Sequence, residues 1–132
     1  MTPGPDAASL RIPILADDLI WATRLADLVR GAGATPVPVR SAAGLDDALA
    51  DAAGCVVDLT ARAYDGVAAL SAAASAGVSA VAVAQHDDAG LRRAARAAGA
   101  VHVYTYRGMF EHGDRDLGGW LAGLRPGEEE RA

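Results

Sequence analysis

The chain has 132 residues, 52% of them hydrophobic and 22% charged, which matches one globular domain with a single sizeable core. Its formal net charge of −5 argues against general binding of nucleic acid, which depends on clustered positive charge. Its one cysteine, Cys55, excludes a disulfide framework or thiolate metal site and lies in an apolar run, so we expect it to fill the core. We see no secretory leader and no apolar run long enough to span a bilayer, so we expect a cytoplasmic protein without membrane contact.

Short apolar segments alternate along the chain with segments rich in alanine and leucine. The short segments contain many β-branched or aromatic residues, which predicts strands at 11–15, 35–39, 55–59, 79–84 and 100–105. Between the first two, Trp21, Leu25, Leu28 and Val29 recur at helical spacing, and glycines follow. Similar helical segments precede the later strands, at 44–54, 65–77 and 87–99. The alternation predicts an α/β fold, a doubly wound five-stranded parallel sheet with helices on both faces.

Prolines indicate the order of the strands. The second strand contains Pro36 and Pro38, and a residue without an N–H is tolerated best on an edge strand. An outer second strand agrees with the order 2-1-3-4-5, although Pro13 in the interior first strand counts against it. The polar ends predict a disordered N-terminal tail at 1–9 and an acidic C-terminal tail at 126–132, which leaves residues 10–125 as the domain.

Acidic residues follow two of the predicted strands. Asp17 and Asp18 come after the first strand and Asp58 ends the third, so all three should meet at the carboxyl edge of the sheet, where ligands of such folds gather. We call these three residues the acidic edge. Crowded carboxylates repel one another, and a Mg²⁺ ion held by their oxygens would remove that repulsion. The alternative is that each aspartate caps the N-terminus of the helix after it.

The chain resembles the receiver domain of response regulators in three features. These are the acidic pair Asp17-Asp18 after the first strand, Asp58 at the third, and the Asp65-Gly66 dipeptide seven residues later, all on a framework of five strand–helix units. The resemblance covers residues 11 to about 125. It implies a CheY-like, flavodoxin-like fold and a signalling protein that acts by contact with a protein, such as a histidine kinase or a downstream target, rather than an enzyme. It also implies that Asp58 accepts a phosphoryl group, with weakly bound Mg²⁺ on the acidic edge and the backbone carbonyl of Thr60.

The switch residues of receivers are missing here. All 12 basic residues are arginine, so the family's lysine after the fifth strand is absent. Tyr106 occupies the position of that lysine, and Arg107 is the nearest cation that could replace the lysine. Ala84, or Gln85 if the register slips by one, occupies the position of the family's Ser or Thr, and Tyr104 is the expected aromatic of the fifth strand. The resemblance is therefore to an atypical receiver or pseudo-receiver.

A basic stripe of Arg92, Arg93 and Arg96 lies on the fourth predicted helix. Receivers use the surface of helix 4, strand 5 and helix 5 for partners and dimers, so the stripe is a candidate partner face for a monomer or weak homodimer. Its alternative is a solvated helix face.

Two other functions use the same strand ends. A small Mg²⁺-dependent hydrolase would use Asp58 as its nucleophile, and a nucleotide- or flavin-binding module would hold phosphate there. The second would need a glycine-rich phosphate loop, which we do not find in these segments.

Overall fold

The computed structural model describes residues 10–86 and 88–124, where strands and helices alternate. The strands are β1 (Arg11–Leu15), β2 (Thr35–Val39), β3 (Gly54–Asp58), β4 (Ser79–Ala84) and β5 (Ala100–Thr105). The helices are α1 (Leu19–Gly31), α2 (Ala42–Leu49), α3 (Gly66–Ser75), α4 (Ala89–Ala97) and α5 (Tyr106–Leu124). Four strands have their predicted limits, and β3 begins and ends one residue earlier than predicted. The tails predicted at 1–9 and 126–132 lie outside the described residues.

The five strands form one parallel sheet in the order β2-β1-β3-β4-β5, which confirms the predicted topology. Strand β2, with its two prolines, lies at an edge. Pro13 is accommodated in the interior strand β1 because the pairing of β1 with β3 begins only at Ile14, one residue later. All three of these prolines, including Pro13, are therefore compatible with the strand order 2-1-3-4-5.

Helices cover both faces of the sheet. Helices α1 and α5 enclose one core, around Ile14, Val56 and Leu121, and helices α2, α3 and α4 enclose the other, around Leu45 and Leu70. Cys55 lies in the second core, as expected, and burial raises the pKa of its thiol to about 12. None of the helices within the described ranges combines the length and apolar character that crossing a membrane requires.

Polar side chains fix where the first four helices begin. Asp18, Ser41, Asp65 and Asp88 each accept a hydrogen bond from the backbone N–H three residues later. Helix α5 follows β5 directly and is capped in the same way, since the hydroxyl of Thr105 accepts a hydrogen bond from the N–H of Gly108 at 3.0 Å. It bends at His112, where the backbone leaves the helical region (φ −149°, ψ 31°). The Nδ1 atom of His112 lies 2.6 Å from Oδ2 of Asp116, on the far side of the bend.

Gly99 joins α4 to β5 in a conformation that a side chain would strain. Its φ is +118°, and a Cβ atom there would lie 2.9 Å from the Cβ of Ala74. Gly77 follows α3 with a φ of +74°, but a Cβ atom added to Gly77 would lie in open space. A side chain at Gly99 would therefore meet both backbone strain and a packing clash, whereas one at Gly77 would meet backbone strain alone.

We expect Gly99→Ala to lower the free energy of unfolding by more than about 2 kcal/mol, because strain and clash add. Its matched control, Gly77→Ala, should cost only about 1 to 2 kcal/mol, from strain alone. Urea unfolding followed by circular dichroism measures both. Equal losses in the two variants would contradict the close contact between Gly99 and α3.

Candidate functional site at the carboxyl edge of the sheet

Asp58 ends β3 as a buried carboxylate that is only 1% exposed. Its Oδ1 accepts a hydrogen bond from the backbone N–H of Thr60 at 2.9 Å, and its Oδ2 accepts one from the hydroxyl of Tyr106 at 2.6 Å. Burial raises the pKa of Asp58, the two hydrogen bonds oppose the rise, and the nearby charges of Asp17 and Asp18 add to it. Both oxygens thus have donors, and the carboxyl group is closed to solvent.

Tyr106 reaches Asp58 from the first position of α5, directly after β5. Its ring stacks on Trp21 of α1, with ring centroids 4.0 Å apart and an angle of 25° between the planes. Burial raises the pKa of Tyr106, and the hydrogen bond to Asp58 raises it further. The hydroxyl therefore keeps its proton at neutral pH and acts as the donor to Asp58.

A second tyrosine supports the backbone under the carboxylate. The hydroxyl of Tyr64 lies 2.9 Å from the carbonyl oxygen of Leu15 and 2.7 Å from that of Asp58, at the ends of β1 and β3. Burial raises the pKa of Tyr64, so this hydroxyl is also protonated. The loop after β3 is thereby tied to the two strands that carry the acidic residues.

The other two residues of the acidic edge have separate partners. The Oδ2 of Asp17 accepts hydrogen bonds from the backbone N–H groups of Arg62 (3.3 Å) and Ala63 (3.2 Å). Asp18 is exposed and caps α1 by accepting from the N–H of Trp21 at 3.0 Å. The capping alternative therefore holds for Asp18.

We tested whether the acidic edge fits Mg²⁺, which binds carboxylate oxygens in near-octahedral geometry. In the part of the chain that the structure describes, no three His, Cys, Asp or Glu residues are grouped to hold a metal ion. Asp58 is buried with a donor on each oxygen, and Asp17 is turned to two backbone N–H groups. As arranged, the residues do not fit Mg²⁺, and metal binding at the acidic edge stays a prediction.

The switch positions supply no hydroxyl at the carboxyl end of β4. The hydroxyl of Thr60 accepts the backbone N–H of Gln85 at 2.8 Å, which links the loops after β3 and β4. Ala84 ends β4 and is buried, whereas Gln85 is exposed. Tyr104, two residues before Tyr106, is half-buried against His102, and burial raises its pKa.

Arg107 points away from the carboxylate. Its side chain is 86% exposed, and its guanidinium lies 3.5 Å from the carboxylate of Glu111 in the next turn of α5. The contact to Asp58 comes instead from Tyr106, the residue at the position of the family's lysine.

The predicted partner face lies on α4 and the neighbouring edge strand β5. Arg93 and Arg96 are exposed and Arg92 is half-buried, while Ala95 packs beneath them in the core. Strand β5 adds the exposed Val101 (45%) and His102. This surface is separate from the Asp58 carboxylate and combines basic with apolar side chains.

No protein-family model matches the chain, and no curated protein matches it. Its fold, however, is that of the response-regulator receiver (CheY-like) domain, which many similar solved structures share. The receiver domain of the TMAO respiratory system response regulator TorR is 18% identical, with a TM-score of 0.77 over 88% of this chain and 99% of that one.

Two further solved structures show the range of the neighbours. The signal receiver domain of a DNA-binding response regulator (merR) from Colwellia psychrerythraea 34H is 16% identical, with a TM-score of 0.74 over 86% of this chain and 98% of that one. A putative pilus assembly-related protein from Burkholderia pseudomallei K96243 is 21% identical, with a TM-score of 0.72 over 89% of this chain and 90% of that one.

The sequence did not reveal the roles of two residues that support this site, Trp21 behind Tyr106 and Tyr64 at the strand ends. The sequence pattern indicated only that Trp21 belongs to the apolar face of α1, and Tyr64 was part of no motif. The sequence signal for Tyr106 was its position after β5, but its contact with Asp58 depends on how the ends of β3 and β5 meet in space. The aromatic enclosure of the carboxylate is therefore a finding of the structure.

Replacing Asp58 by asparagine should stabilise the protein increasingly as pH rises. A raised folded-state pKa means that the wild-type protein loses stability between the ordinary aspartate pKa, about 4, and the raised value. Asp58→Asn removes this titration and keeps an acceptor for the N–H of Thr60. We expect the difference in free energy of unfolding to move in favour of the variant between pH 4 and pH 8.

Urea unfolding at a series of pH values measures that difference, with the exposed Asp51→Asn as the matched control. A difference that stays constant with pH, or that matches the control, would contradict the buried state of the Asp58 carboxylate.

Removing the hydroxyl of Tyr106 should destabilise the protein, because Oδ2 of Asp58 would lose its donor while remaining buried. For Tyr106→Phe we expect a loss of about 1 to 3 kcal/mol at pH 7 and a further rise in the pKa of Asp58. Tyr104→Phe is the control on the same strand–helix junction. Denaturant unfolding and a carbon-detected NMR titration of Asp58 give the two values, and an unchanged pKa in Tyr106→Phe would show that the hydrogen bond is absent.

Proposed function

We propose that this protein is a receiver-like signalling domain that acts by binding a protein partner and whose phosphoacceptor position, Asp58, is closed by Tyr106. The observation that carries the proposal is the 2.6 Å hydrogen bond between the hydroxyl of Tyr106 and Oδ2 of Asp58. It supports the proposal because the carboxylate stands at the end of β3 in a receiver-type sheet and is 1% exposed. A conventional receiver needs that carboxylate open to a phosphoryl donor.

Binding is favoured over catalysis by the state of the carboxylate. A hydrolase would need Asp58 as an accessible nucleophile, and here both oxygens are engaged and covered. The loops after β1, β3 and β4 contain no run of glycines to hold the phosphates of a nucleotide. Neither alternative is supported by a feature of this edge.

Phosphorylation of Asp58 would require Tyr106 to leave. The incoming phosphoryl group must approach Oδ1 or Oδ2, and the ring of Tyr106 is held between Asp58 and Trp21. In this proposal Mg²⁺ binds the acidic edge only weakly, because Asp17 and Asp58 must first release their present donors. Arg107 does not replace the lysine, since its charge is directed to Glu111.

The proposed partner face consists of α4, β5 and α5. The exposed Arg93 and Arg96 supply positive charge, and Val101 on β5 supplies apolar area. A protein surface with acidic residues around an apolar centre is the complement of this face. Such a partner would be a histidine kinase or a downstream signalling protein, and the same face would serve a weak homodimer of this protein.

Because Ala84 has no hydroxyl to follow a phosphoryl group, the proposal assigns Tyr104 a fixed position whether or not Asp58 is occupied. A ligand shifts a conformational equilibrium only through contacts that differ between the two states. The domain thus presents one constant binding face, in contrast to a receiver that changes its face on phosphorylation.

We expect acetyl phosphate with Mg²⁺ to leave the wild-type protein unlabelled and to label Tyr106→Ala, in which the cover of Asp58 is removed. Intact-mass spectrometry reports the addition of one phosphoryl group, and circular dichroism confirms that each variant is folded. The double variant Tyr106→Ala with Asp58→Ala is the control that should lose the label.

Fast, stoichiometric labelling of the wild-type protein that disappears in Asp58→Ala would overturn the closed state and restore a conventional receiver. Failure of Tyr106→Ala to take up label would remove the phosphoacceptor role of Asp58 from the proposal.

A further inference from the structure

A second concave site lies between α1 and the edge strand β2, apart from the Asp58 carboxylate. Its cavity measures about 180 Å³. The deep walls are aliphatic and almost completely buried, whereas Leu19 at the mouth is 69% exposed. The lining includes Ile14, Ala16, Leu19, Ala22, Val39 and Arg40.

Arg40 is the charged residue of this lining. Its Nη2 donates to the backbone carbonyl of Asp17 at 3.3 Å. Across residues 10–86 and 88–124 no carboxylate forms an ion pair with its guanidinium. The carboxylate of Asp17 itself accepts from the N–H groups of Arg62 and Ala63 instead. Because a guanidinium has five N–H donors, most of those of Arg40 remain available to an anion at the mouth.

The size of the cavity limits the apolar part of a ligand. A dry cavity of about 150 Å³ in another protein takes up benzene, so about 180 Å³ suits an apolar group of roughly six to eight carbons. The aliphatic walls would contact such a group without leaving polar atoms unpaired. A bound ligand would also cover the exposed Leu19, and this burial of apolar surface favours binding.

The charge at the mouth limits the head group. A guanidinium matches a carboxylate through two parallel hydrogen bonds, and a single arginine balances a single negative charge. Asp17 and Asp18 follow β1 close to the mouth and disfavour a doubly charged head group such as a phosphate monoester. The features together select a monoanion with a short apolar body.

We propose that this cavity binds a small amphipathic carboxylate, with an aliphatic group of about six to eight carbons among Ile14, Ala22 and Val39 and its carboxylate on Arg40. The inference does not depend on the proposed function, since no residue of the Asp58–Tyr106 contact lines the cavity. The bond from Arg40 to the carbonyl of Asp17 places the bound carboxylate next to the loop that begins the acidic edge.

The test is a titration of the protein with sodium heptanoate, which carries a six-carbon aliphatic chain on its carboxylate, followed by ¹⁵N–¹H NMR. We expect saturable shifts at Ala16, Leu19, Ala22 and Val39. In the unmodified protein, hexylamine, which has the same chain and the opposite charge, and acetate, which has the same head group and no chain, should both bind at least about tenfold more weakly.

Two variants locate the ligand. Arg40→Gln removes the charge of an exposed side chain and should weaken heptanoate binding about tenfold or more, while the control Arg93→Gln on α4 should not change it. Ala22→Leu fills the cavity and should abolish binding with the fold intact.

No saturable shift with heptanoate overturns the proposal, as does equal binding of hexylamine in the unmodified protein, a comparison that needs no variant. Binding that persists unchanged in a folded Arg40→Gln or Ala22→Leu protein also overturns it, because the ligand would then lie elsewhere. Labelling of Asp58 by acetyl phosphate is measured separately, so the failure of either hypothesis is distinguishable from failure of the other.

Discussion

The carboxyl edge of the sheet depends on the hydrogen bond between Tyr106 and Asp58. A carboxyl group that is 1% exposed costs several kcal/mol unless donors replace the water it has lost, and here the donors are one hydroxyl and one backbone N–H. The hydroxyl belongs to the first residue of α5, so satisfying the carboxyl group fixes where β5 ends and α5 begins. The ring of Tyr106 in turn packs on Trp21, which brings the first turns of α1 into the same arrangement. One polar contact therefore joins β3, β5, α1 and α5.

That contact also explains how a chain without lysine retains an acid at this position. An ammonium group would pair with Asp58 as an opposite charge and lower its pKa, whereas a neutral hydroxyl supplies one hydrogen bond and leaves burial as the larger influence. The pKa of Asp58 is accordingly raised, and the pKa of Tyr106 rises as well, so the hydroxyl keeps its proton and donates to Asp58 without the help of a cation. Arg107, one residue further on, lies on the outer side of α5, where its guanidinium is directed to Glu111.

The sequence predicted the sheet well because local features decide it. The strand limits follow from short apolar segments, and the edge position of β2 follows from Pro36 and Pro38, which cannot donate to a neighbouring strand. Asp58 could be located for the same reason, as the last residue of a buried strand. Its surroundings could not, because Trp21, Tyr64 and Tyr106 come from separate segments and meet only when the strand ends converge. The crowding predicted for the acidic edge was resolved by backbone N–H groups of the loop after β3, which no side-chain pattern reveals.

The same contacts indicate which part of the molecule must move if Asp58 is ever exposed. At the carboxyl end of β4 there is no hydroxyl to move, since the strand ends in Ala84, and in the loop after β3 the hydroxyl of Thr60 accepts the N–H of Gln85. On the other side Tyr106 stacks on Trp21, and the guanidinium of Arg24 lies 5.7 Å from the ring of Trp21 and 4.6 Å from that of Phe110, which is 68% exposed. Displacing Tyr106 must therefore disturb a stack that extends to the surface along α1 and the start of α5. Under the proposed function this disturbance stays at α1 and the start of α5, because these aromatic side chains are the ones whose contacts differ between the closed and open states, and Tyr104 and the exposed arginines of α4 keep their positions.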